Sequence, residues 1–133
     1  MSLLPKGAVV FAGCLRNARA VADAANALGG PVAVIPAGER WPDGTLRPAV
    51  EDLIGAGAIL RHLAGAASPE ARAGIAMFEG LAERVEAVLF EGASGRELAD
   101  NGYAEDVRLA SELDVSDAVP RLVDQAYVDA TRM

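Results

Sequence analysis

Apolar and polar residues along the chain alternate between short unbroken runs and helical stripes. Ala8-Val9-Val10-Phe11-Ala12 is an apolar run closed by Gly13, the pattern of a buried strand. Leu15, Ala18, Val21, Ala22, Ala25 and Leu28 then recur at helical spacing until Gly29-Gly30 stops the helix. Val32-Ala33-Val34-Ile35 forms a second apolar run, broken by Pro36-Ala37-Gly38. Trp41-Pro42-Asp43-Gly44 carries strong turn chemistry. The order β-α-β-α predicts a parallel strand pair joined by a right-handed crossover. Gly13–Asn17 and Ala37–Arg47 would then leave the carboxyl ends of their strands, the edge where open α/β sheets bind ligands.

The rest of the chain reads mainly as helix. One helix starts near Pro48, with Val50, Leu53, Ile54 and Gly57 on one face. Ser68-Pro69 opens a longer one that turns Ile75, Phe78, Leu81, Val85, Val88 and Leu89 inward. Ser94 followed by Glu97 has the spacing of a capping box for a short helix ending at Asn101-Gly102. Ala104 to Glu112 is a further helix. Ala118 to Val123 reads as an edge strand, because Pro120 cannot serve a central ladder. The expected class is α/β: a layered α/β/α domain over residues 1–133 with a small, mainly parallel sheet. Two or three strands are few for such a sheet, so further strands are expected from elsewhere.

Composition narrows the function classes. Hydrophobic residues make up 52% of the chain but aromatics only 5%, so the core must rely on small side chains and close packing. The chain contains no apolar run long enough to span a bilayer. Met1 to Val10 lack the apolar stretch of a signal peptide. With a single cysteine, Cys14, and no internal disulfide, the expectation is a cytoplasmic protein with no membrane partner. The net charge of −7 argues against nucleic acid. Its distribution is uneven. Residues 1–50 carry five basic side chains against three acidic ones, and residues 51–133 carry seven arginines against sixteen acids. A small anion could therefore bind near the expected strand ends.

The candidate chemistry gathers there. Glu39 and Asp43 are hard oxygen donors of the kind Mg²⁺ accepts, and Arg40 and Arg47 present forked donors to phosphate or sulfonate oxygens. A solvated loop of paired charges accounts for the same residues. Glu51 and Asp52 fall in the first turn of a helix, where the dipole alone favours acids, or where they could bind a metal or activate water. Asn17 could cap the first helix or donate its amide to a ligand, with Arg16 beside it as an anion partner. Cys14 is expected to be buried and inert, and His62 to be a surface or boundary residue. There is no zinc ligand set, catalytic triad, GxGxxG or P-loop lysine.

Four ordered stretches resemble the 2-phosphosulfolactate phosphatase family. They are Phe11 to Ala22; Ile35-Pro36-Ala37-Gly38-Glu39 followed by Glu51 to Ile59; Ser94-Gly95-Arg96-Glu97-Leu98 with Asn101-Gly102 and Asp106-Val107; and Asp117-Ala118-Val119-Pro120. The resemblance implies an α/β layered fold and Mg²⁺-dependent hydrolysis of 2-phosphosulfolactate to sulfolactate and phosphate, a step toward coenzyme M. It carries over Asn17, Glu39, Glu51 and Asp52. The resulting expectation is Glu39 and Asp52 as catalytic groups, Asn17, Arg16, Arg40 and Arg47 toward the substrate, and Glu39, Glu51 and Asp52 toward Mg²⁺. The match corresponds to the C-terminal half of the family's chains. The expected partner is thus a second copy or a complementary N-terminal half. A non-catalytic anion-binding or structural half-domain is the alternative.

Overall fold

The computed structural model describes residues 7–132. Met1 to Lys6, the start of the stretch expected to lack a signal peptide, and Met133 lie outside the described residues. A 3-10 turn at Leu15–Asn17 leads into α1, Ala18–Leu28, which buries Ala18, Val21, Ala22 and Ala25 at the spacing of one helical face. Helix α2, Val50–Leu60, is buried continuously from Ile54 to Ala58. A helix buried on successive positions has neighbours around most of its circumference. It begins two residues after Pro48 rather than at it.

Helix α3, Pro69–Leu81, begins as its sequence demands. The Ser68 hydroxyl accepts the Ala71 N–H at 3.2 Å, and Pro69 occupies the first turn. Helices α2 and α3 pack backbone to backbone. A Cβ on Gly57 would lie 2.3 Å from the Gly74 carbonyl oxygen and 2.7 Å from the Phe78 Cβ. The long helix expected through Leu89 is broken by a 3-10 turn at Ala82–Arg84, and α4 runs Val85–Glu91. Val85 and Leu89 join the core with Leu15, Ala18, Ile54, Ala58, Phe78 and Val107. Phe78, Val85 and Leu89 keep the i, i+7, i+11 spacing of one helical face across the break. Helices α5, Ala93–Asp100, and α6, Ala104–Ser111, complete the helical part.

The strands depart from expectation. Strands β1, Glu39–Arg40, and β2, Leu46–Arg47, pair antiparallel around the Trp41–Gly44 turn. Within that turn the Gly44 N–H bonds the Trp41 carbonyl at 2.8 Å, and Gly44 has φ +85°, a conformation glycine adopts freely. Strands β3, Pro120–Val123, and β4, Ala126–Asp129, form a second antiparallel ribbon. Asp124 and Gln125 both have positive φ, as a two-residue hairpin turn of matching twist requires.

The parallel pair of Val9–Ala12 with Val32–Ile35 does not form. Phe11 instead bridges Arg121 antiparallel, with the Ala12 N–H bonded to the Pro120 carbonyl at 2.9 Å and the Leu122 N–H to the Val10 carbonyl at 2.9 Å. Strand β3 is therefore flanked on both sides, and Pro120 is accommodated as its first residue. Residues 31–38 form neither strand nor helix, and Ile35 is 75% exposed. An apolar run encodes a tendency to be buried but not what buries it, and this chain does not cover that run. The architecture is mixed α/β, helices with two small antiparallel ribbons, in place of the mainly parallel sheet. Among the described residues, no helix is long and apolar enough to cross a membrane.

Candidate functional site

The site is built where the β1–β2 hairpin meets the start of α5. Arg47 ends β2 just before α2, and its side chain is 13% exposed. It donates through Nη2 to the Ser94 hydroxyl at 3.1 Å and pairs through Nη1 with the Glu97 carboxylate at 2.9 Å. Its guanidinium lies 5.2 Å from the Trp41 ring centre, a cation–π arrangement. The Nε atom is buried without a hydrogen-bond partner among the described residues. Ser94 and Glu97, three residues apart, share one face of α5. That helix is pressed onto the end of α4, since a Cβ on Gly95 would fall 1.8 Å from the Leu89 carbonyl oxygen.

Two open cavities adjoin this point and share Glu39. One, of 590 Å³, is lined by Glu39, Arg47, Ser94, Glu97, Asn101 and Tyr103, with Leu98. The other, of 380 Å³, is lined by residues of the hairpin and of Ala37-Gly38. Glu39 is exposed. Its loop is tied down by Asp52, whose Oδ2 accepts the Gly38 N–H at 2.7 Å. At the hairpin tip, the Thr45 hydroxyl and N–H both bond Asp43, which holds that carboxyl below its usual range.

The other residues singled out from the sequence are engaged elsewhere. Asn17 is buried; its Oδ1 accepts the Cys14 N–H at 2.8 Å and its Nδ2 donates to the Ala118 carbonyl at 3.0 Å. Both ends of its amide are used within the fold, so it fastens the 12–14 loop to the 118 segment rather than presenting a donor to a ligand. Arg16 reaches the other way, donating to the Leu109 carbonyl at the end of α6 and pairing with Glu112. Arg40 closes its own hairpin on the Gly44 carbonyl at 2.7 Å. Asn17 and Glu39, expected on one rim, line neither cavity together. Cys14 is exposed, not buried. His62 is at the boundary as expected, 3.3 Å from Asp114, which also bonds the Arg19 N–H and faces Arg61.

Among the described residues, no group of three or more His, Cys, Asp or Glu side chains is arranged to hold a cation. Glu39, Glu51 and Asp52 thus form no three-carboxylate cage. A Mg²⁺ ion needs less, taking one or two carboxylates with waters and substrate oxygens. Glu39 is exposed, and one oxygen of Asp52 is engaged by the Gly38 N–H.

Nothing in the sequence pattern marks Ser94, Glu97, Asn101 and Tyr103 as site residues; the Ser94–Glu97 spacing reads as a helix cap. In the structure Gly92 holds the cap position and both side chains turn to Arg47.

The site is a polar, arginine-centred cleft at a hairpin–helix junction in a mixed α/β domain. The chain belongs to the 2-phosphosulpholactate phosphatase family, whose model matches residues 3–125. No curated protein matches the chain.

Proposed function

We propose that the protein is a phosphoric monoester hydrolase that converts 2-phosphosulfolactate to sulfolactate and phosphate. Family membership supports this reading, and the observation that carries it is Arg47 and Glu39 lining one cavity. Water attacks phosphorus, the bond from phosphorus to the substrate's C2 oxygen breaks, and that oxygen leaves as the sulfolactate hydroxyl with a proton. Arg47 would bind an anionic group of the substrate through its planar fork. Glu39, exposed in the cleft, would orient and deprotonate the water. Asp52 would act by holding the loop that carries Glu39, and Arg16, Asn17 and Arg40 by fixing the surrounding segments. Mg²⁺, held by Glu39 and Asp52 with Glu51 adjacent, would neutralise charge on the phosphoryl oxygens. The product would feed coenzyme M synthesis in the cytoplasm.

A specific observation favours an assembly. Val9, Val32 and Ile35 are 38%, 46% and 75% exposed in segments whose apolar runs are suited to strands. We propose that a complementary N-terminal half, or a second copy, pairs with these segments and completes a layered α/β/α sheet. The test is phosphate release from 2-phosphosulfolactate with Mg²⁺, by the chain alone and with an N-terminal half of the family added. Little turnover alone, recovery on mixing and loss in Glu39→Gln are expected. Absence of phosphate release in both settings would refute the hydrolase reading.

A further inference from the structure

The bond between Arg47 and Glu97 joins two unequal partners. Arg47 is 13% exposed and held by Ser94 and the Trp41 face, whereas Glu97 is 60% exposed on the solvent side of the same cavity. The arginine is fixed and costly to move. The carboxylate is wet, and an ion pair with so exposed a partner opens at little cost. Ser94 accepts from Arg47, which leaves its own O–H to donate. If Glu97 swung away, Arg47 Nη1 and the Ser94 O–H would face the 590 Å³ cavity together, a donor pair suited to an oxyanion.

We infer that the Glu97 carboxylate is an internal stand-in for an anionic group of the ligand, and that a sulfonate, carboxylate or phosphate displaces it from Arg47 on binding. This rests on the proposed reading in taking the substrate to be a phosphorylated sulfonate, although the displacement itself requires only an anion. It gives Glu97 a role in specificity. A weak single-point anion must compete with a tethered carboxylate at high local concentration, whereas a ligand held at a second point in the cleft wins that competition. The device keeps the arginine ordered and its charge satisfied while no ligand is present.

The test is NMR titration of the folded protein with sulfate and with methanesulfonate at constant ionic strength. Wild type, Glu97→Gln, Glu97→Ala and Arg47→Gln are compared. Glu97 is largely exposed, so both of its variants should keep the wild-type fold, checked by circular dichroism. Both should bind the anions about three- to tenfold more tightly than wild type, with shifts at residues 45–47 and 94–103. Arg47→Gln should lose binding there. Unchanged or weaker affinity in both Glu97 variants would overturn the inference and leave Glu97 as a brace for Arg47. The hydrolase reading is judged separately, by turnover of 2-phosphosulfolactate. Tighter anion binding without turnover in any assembly would sink that reading alone, and turnover without tighter binding would sink the stand-in alone.

Discussion

Asp52 accepts the Gly38 N–H at 2.7 Å, so a carboxylate in the first turn of α2 fastens the loop that carries Glu39. The acid placed there by helix-dipole preference thus has a second task. Two features that are separate in sequence, the turn-rich loop and the acidic helix start, become one mechanical unit.

Removing that acceptor should loosen the loop more than it weakens the fold. Asp52→Ala is expected to cost about 1.5–3 kcal/mol, the range for a hydrogen bond to a charged group. Faster hydrogen exchange should be concentrated at residues 37–40. Asp52→Asn keeps an acceptor oxygen and should lose less. Urea unfolding and amide exchange measure both, and equal stability of Asp52→Ala and wild type would contradict the role assigned to the bond.

The contact between α2 and α3 gives a matched pair of substitutions. Gly57→Ala must displace Gly74 backbone or the Phe78 side chain. It should cost about 3 kcal/mol, the upper range for overpacking. Gly55, two residues earlier in the same helix, has no described atom beyond its own stretch of helix within 4 Å of an added Cβ. Gly55→Ala should therefore be neutral or stabilising by up to about 1 kcal/mol, from helix propensity alone. Thermal unfolding of the two variants compares them, and similar melting shifts would show that the close approach is not real.

Acid should loosen the second ribbon. Asp129 accepts bonds from the Thr131 hydroxyl, the Val119 N–H and the Thr131 N–H, and these hold its carboxyl below the ordinary 3.8. A depressed carboxyl contributes stability that is present above its unfolded value and is lost as pH falls through its folded value. Amide protection at Val119 and Thr131 should therefore persist at neutral pH and decline once the pH drops below about 3.8. Asp129→Asn should remove this pH dependence. Protection that fades instead as pH rises would contradict the assignment.

If the exposed apolar segments are an assembly surface, Ile35→Asp should disperse it without harming the helices. Light scattering should find wild type as a dimer or larger species at micromolar concentration and the variant as a monomer, with unchanged far-ultraviolet circular dichroism. A wild-type monomer that turns over 2-phosphosulfolactate unaided would refute the proposed association.

The turn and the clearest helix starts and stripes were legible in the sequence because their bonds close within a few residues; the break at Ala82–Arg84 was not. The α1 stripe, the Ser68-Pro69 start of α3 and the Trp41–Gly44 turn all formed where their residue types require. The candidate site was legible in part. Glu39 and Arg47 were recognised and meet at one cavity, but Arg16 and Asn17, which looked like ligand donors, are engaged by Glu112, Leu109 and Ala118 about a hundred positions away.

By itself the sequence determined where the backbone turns, where it coils, and which stretches are too apolar to remain in water. Tertiary structure alone decided what those stretches meet. Val10–Ala12 paired antiparallel with β3, Val32–Ile35 was left open, and Ser94 and Glu97 turned from a helix end to Arg47. The physical reason is one of range. A helix or turn is specified by bonds between near neighbours, whereas a strand run is compatible with any edge that offers free N–H and C=O groups. A charged side chain likewise takes whichever partner the packed elements bring within reach.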